Sequence, residues 1–143
     1  MSSTYSQIKL SHTGALQLLN KAVERAVAMQ QPQCIAIVDE GCNLMAYIRM
    51  DGAKLLSEKS CIHKAMTAAS GRVPTGNLPP DVDAKLAIAT GGLTTNLKGG
   101  LPIIVAGQVI GGIGVGSGTG DQDREVANFA LAAFSGAQTF KFE

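Results

Sequence analysis

The chain has 143 residues, 45% of them hydrophobic and 16% charged, with a formal net charge of +1. That length suits one ordinary domain with a real core, and the hydrophobic share excludes a disordered chain. A near-neutral charge without a Lys/Arg cluster argues against a nucleic-acid or anionic-membrane surface, and a charged share below about a quarter leaves a surface either covered by partner subunits or built from Gly, Ser, Thr and Gln.

The first residues, MSSTYSQIKLSHTG, hold no basic segment followed by an apolar one, so no secretory leader is expected and the expected compartment is the cytoplasm. Ser11 is placed to cap a helix running to about Gln30. Its apolar stripe is Ala15, Leu16, Leu19, Ala22, Val23, Ala26 and Val27. Gln31-Pro32 ends that helix. Cys34 to Val38 and Leu44 to Met50 are two apolar runs around the turn Asp39-Glu40-Gly41-Cys42-Asn43, which is hairpin spacing.

After Asp51-Gly52 a second helix is expected from near Leu55 to about Ser70, with the stripe Leu56, Ser60, Cys61, Lys64, Ala65 and Ala68. A lysine on so alanine-rich a face either snorkels or makes a specific polar contact. Gly71 to Pro80 is a loop. Pro79-Pro80-Asp81 opens a short helix over Val82 to Ala89, where Asp81 and Asp83 are better read as helix-start residues than as an acid/base pair.

The stretch from Gly99 to Gly120 holds nine of the seventeen glycines. It parses as a second hairpin, Leu101 to Val105 and Gln108 to Val115 around the turn Ala106-Gly107. Gly111, Gly112 and Gly114 inside a strand imply close approach of another backbone or of a flat ligand. The glycines do not make a dinucleotide fingerprint, because no βαβ unit with a following carboxylate exists, and no P-loop lysine follows. Thr119-Gly-Asp-Gln122 fits a capping box for a last helix, Asp121 to Phe134, with Val126, Ala127, Phe129, Ala130, Ala133 and Phe134 as its stripe. Gln138 to Phe142 is either a final short strand or a frayed tail. Two hairpins demand an antiparallel sheet, and one-sided helices must cover it, so the fold class is α+β in one domain over residues 1–143.

Chemistry-bearing residues are few. Cys34, Cys42 and Cys61 are an odd set without CxxC spacing, which suits reduced thiols. His12 and His63 are the only imidazoles. Cys61 and His63, two apart on a helix, diverge and cannot share a metal. A single histidine can still be an axial ligand to haem iron. No nucleophile elbow or Ser-His-Asp spacing is present.

Three segments together resemble the GlcG/HbpS-like family: Arg49-Met50-Asp51-Gly52-Ala53, then Lys64-Ala65-Met66-Thr67-Ala68, then Gly99 through Val115 to Gln122-Asp123 and Ala127. The family includes haem-binding HbpS, GlcG, and the C-terminal domain of PduO-type corrinoid adenosyltransferases. The match spans nearly the whole chain in order. The chain's length matches standalone members of the OrfY type, encoded with cobalamin-dependent diol and glycerol pathways. Departures are Val115-Gly116-Ser117-Gly118 where the family reads V-S-G, and Asp121 where Glu is common.

The resemblance implies a profilin-like three-layer α/β/α sandwich around a five-stranded antiparallel sheet, in a homo-oligomer. It implies a small tetrapyrrole-binding accessory protein, for haem or a corrinoid, in a family linked with haem degradation. The alternative is a structural or chaperone-like partner of a cobalamin-dependent diol/glycerol dehydratase system with no small ligand. A third reading is an enzyme acting on a small oxidised metabolite. The cofactor-binding candidates are His12, Arg49, Asp51 and Lys64, with His12 the favoured ligand to haem iron. Lys64 is expected to approach Asp51 or a backbone carbonyl at the mouth of a cleft.

Overall fold

A computed structural model describes residues 1–142. The elements run α1 (His12–Ala28), β1 (Cys34–Asp39), β2 (Leu44–Arg49), α2 (Ser57–Gly71), α3 (Pro80–Ala89), β3 (Gly100–Val105), β4 (Gln108–Gly116) and α4 (Gly120–Ala132). The helix starts follow local chemistry. Ser11 Oγ accepts from Gly14 N at 3.0 Å, and Thr119 and Gln122 close a full capping box on α4.

The sheet is antiparallel throughout, in the order β2-β1-β4-β3. It has four strands among the described residues, where five were expected. The tail beyond α4 makes one isolated bridge, Val105 to Ala137, and is then held by Asn128, whose amide brackets the backbone of Phe140. Side-chain amide contacts take the place of a further strand pairing there. The β3–β4 turn is tight because Ala106 and Gly107 both take positive φ, 50° and 75°.

Alternation along the strands builds two unlike faces. Ile35, Ile37, Leu101, Ile103, Ile113 and Val115 pack under α1 and α4 in the larger core. The other face carries Cys34, Ala36 and Val38 and receives Cys61, Ala65 and Ala69 of α2. On β4 that face is glycine. A Cβ on Gly112 would lie 2.2 Å from the Ala65 carbonyl oxygen, and one on Gly114 only 1.9 Å from that of Cys61. The backbone crossing expected from these glycines is therefore made, and α2 makes it. Gly111 differs: its Cβ would meet the Val38 carbonyl oxygen of the neighbouring strand.

Both helix stripes keep their centre, Ala15, Leu19, Ala22 and Ala26 on α1 and Cys61, Lys64, Ala65 and Ala68 on α2, and differ from expectation at single positions. On α1, Leu18 is buried while Leu16 and Val27 are exposed. On α2, Leu56 is exposed and Ser57 is buried. The helix α3 buries no residue fully.

Candidate functional site

Lys64 is set by its helix. Cys61, Lys64, Ala65 and Ala68 share the face of α2 that lies on the sheet, so the side chain cannot snorkel outward and is 4% exposed. Its ammonium donates to the Val115 carbonyl at 2.8 Å and to Asp123 Oδ2 at 3.0 Å. Asp123 stands in the first turn of α4, 2% exposed, and its Oδ1 accepts from Gly118 N at 3.1 Å. Burial raises the Asp123 carboxyl above its usual value of 3.8, and the charge and hydrogen bond of Lys64 pull it back. Of the two partners expected for Lys64, the backbone carbonyl is present. Asp51 is not a partner; it lies exposed in the turn after β2, and the ion pair is made with Asp123.

This pair forms the floor of a polar cleft of about 450 Å³ between the starts of α2 and α4. Lys54 and Lys98 stand at its exposed mouth, and Ser57, Ser60, Asn96 and Ser117 line it. Ser117 holds φ +98°, a conformation unusual outside glycine. Its hydroxyl accepts from Lys54 N at 2.9 Å, which ties the β4–α4 loop to the loop before α2. Here lies the Gly116-Ser117-Gly118 departure from the family pattern.

A second cleft, of about 320 Å³, is mostly apolar. It lies between the C-terminal half of α2 and α3, with Val73, Pro74, Leu78 and Leu86 supplying hydrocarbon and Thr67 and Thr95 supplying hydroxyls. Gly76 borders both clefts. Neither was legible from motif spacing, since the Gly71 to Pro80 loop reads only as a connection.

The remaining candidates are placed as follows. Arg49 ends edge strand β2, exposed, and neither it nor Asp51 lines either cleft. His12 is the exposed first residue of α1, on the sheet face opposite α2. His63 is half-buried on α2, one turn before Thr67. All three cysteines are free, with Cys34 and Cys61 buried. Burial, reinforced by Cys34, pushes the Cys61 thiol up to about 12, so it stays protonated and is no nucleophile. Among the described residues no three His, Cys, Asp or Glu side chains group to hold a metal ion, and no helix is long and apolar enough to cross a membrane.

Comparison with known proteins gives these features a family. The family model of the haem-degrading protein HbpS-like group matches residues 10–132. An uncharacterised 15.0 kDa protein of the dhaT–dhaS intergenic region of Citrobacter freundii is 35% identical over 135 residues, covering 90% of this chain and 95% of that one. The corrinoid adenosyltransferase PduO of Salmonella typhimurium is 33% identical over 135 residues, which are 90% of this chain but 40% of PduO. The crystal structure of the PduOC:heme complex superposes with a TM-score of 0.84 at 31% identity, over 94% of this chain and 100% of that one. With the family model covering most of the chain, including α2, both clefts and the start of α4, this protein belongs to the HbpS-like family.

Proposed function

We propose that this protein is a haem-binding accessory protein that works as a homo-oligomer in the cytoplasm. The observation that carries this is the near-complete superposition on a chain that binds haem, over a fold that presents an apolar cleft beside α2. The cleft suits the body of a porphyrin, with hydrocarbon on its walls and few charges. It does not suit the iron, because no His, Cys, Met or Tyr lines it. Bound haem would supply a redox-active iron. The chain would supply the apolar enclosure, and a histidine holding the iron would stand outside the residues that line the cleft. His12 is exposed at its helix start and is the favoured imidazole, on the opposite side of the sheet from the cleft. His63, half-buried on α2 and outside the lining of the cleft, is the alternative imidazole.

Haemin titration followed by the Soret band tests this in wild type, His12→Ala and His63→Ala. A saturable Soret shift in wild type, lost in His12→Ala and kept in His63→Ala, is the expected result. No shift in wild type removes the haem reading.

A corrinoid is the second reading, supported by the likeness to PduO. Cobalamin that displaces haemin would move the assignment there. In that case the dehydratase-system role follows, with co-purification of a diol or glycerol dehydratase as its check. Haem degradation is tested by loss of the Soret band when a reductant is added under air.

A further inference from the structure

The polar cleft over Lys64 is lined by two side chains that keep a donor to spare. A lysine ammonium has three N–H donors. Lys64 spends one on Val115 and one on Asp123, and among the described residues the third has no acceptor. The Ser57 hydroxyl, in a residue 9% exposed, likewise has no protein partner among the described residues. Both residues line the cleft. Donors left over at the wall of a cleft are available to an incoming acceptor, and a hydrogen bond from the charged ammonium is the stronger of the two.

The charges select the acceptor. Asp123 already balances Lys64 at the floor. Lys54 and Lys98 are left at the mouth, and Lys98 lies 4.0 Å from the exposed Asp121 outside the cleft. The surplus is therefore small and positive. It attracts one negative charge, while the buried carboxylate of Asp123 disfavours a phosphate dianion pressed against it. Ser60 and Asn96 also line the space, but their donors are already engaged, Ser60 on the Ser57 carbonyl and Asn96 on Leu78 and Asp83, so the free donors are those of Lys64 and Ser57. We propose that this cleft binds a small monocarboxylate, its oxygens accepting from Lys64 and Ser57 and its charge held by Lys54 and Lys98. The site is separate from the apolar cleft and rests on no part of the haem reading.

Equilibrium dialysis of haem-free full-length protein against radiolabelled lactate, at fixed ionic strength, tests it. Saturable binding of one lactate per chain is expected. Lys54 and Lys98 are exposed, so Lys54→Met and Lys98→Met should keep the wild-type urea midpoint. Each should weaken lactate by about tenfold, the loss of one charge-assisted contact. Lys85→Met, exposed on α3 outside the cleft, should leave the affinity unchanged. The proposal is overturned by absence of saturable binding, by full affinity in the Lys54→Met, Lys98→Met double variant, or by inorganic phosphate binding more tightly than lactate. Because no haemin is present, failure here leaves the Soret experiment untouched.

Discussion

At the scale of single residues the protein depends on absent side chains. Gly114→Ala places a carbon where the Cys61 carbonyl oxygen already stands, and neither backbone can yield without shifting α2 or β4. The expected loss is about 1–3 kcal/mol, read as a lower urea midpoint. Gly71→Ala is the contrast: its Cβ would meet only Val73 Cγ2, at 3.9 Å, and the midpoint should hold or rise slightly. Lys64 and Asp123 behave as a unit. Lys64→Met leaves a buried carboxylate alone and should cost on the order of 3–5 kcal/mol, whereas the double variant Lys64→Met, Asp123→Asn should cost less than Lys64→Met by itself. The pH dependence has a definite sign. Burial already raises the folded Asp123 carboxyl above 3.8 and Lys64 pulls it down, so Lys64→Met should raise it further. The folded state then holds a proton that the unfolded state has released, so stability is greatest below 3.8 and falls as pH rises through the folded value. Urea midpoints across pH 3 to 8 check both statements.

At the scale of elements, local chemistry was legible and long-range pairing was not. Ser11, Thr119 and Gln122 announce their helices because a cap is settled within three or four residues. Both hairpins were legible because their turn residues sit between apolar runs. The stripe of α1 was misjudged at Leu16 and Val27, since periodicity alone does not say how wide a face its neighbours cover, and Leu18 took the inward place. The partner of Lys64 lies 59 positions away, across the whole of β3 and β4, so only the fold could reveal it. The β1–β2 turn carries its own test. Burial raises the Asp39 carboxyl, but hydrogen bonds from Asn43 and Gly41 outweigh it and hold the carboxyl below 3.8. The stability advantage of wild type over Asp39→Asn should thus be full above 3.8 and vanish as pH falls through the folded value.

At the scale of the whole molecule, α3 and its flanking loops are the unfinished part. Ile88 on α3 is 81% exposed, and Leu93 and Leu97 in the loop after it are 45% and 56% exposed, while α3 itself has no fully buried residue. Exposed apolar residues gathered on one excursion suit burial between subunits. Light scattering at micromolar concentration should give a mass several times the 14.7 kDa of one chain, and Ile88→Glu should lower it. A wild-type mass near that of one chain would contradict the homo-oligomer.

The glycine track under α2 has a bearing on how this protein can diverge. A helix that rests on side chains can roll or slide when those side chains change. Here carbonyl groups of α2 rest on bare strand backbone, so its height and azimuth are dictated by main-chain atoms that substitution does not alter. Both clefts take a wall from this helix. Their lining can thus be rewritten residue by residue without moving the wall itself, a geometry that lets related chains exchange one ligand for another while keeping the same architecture.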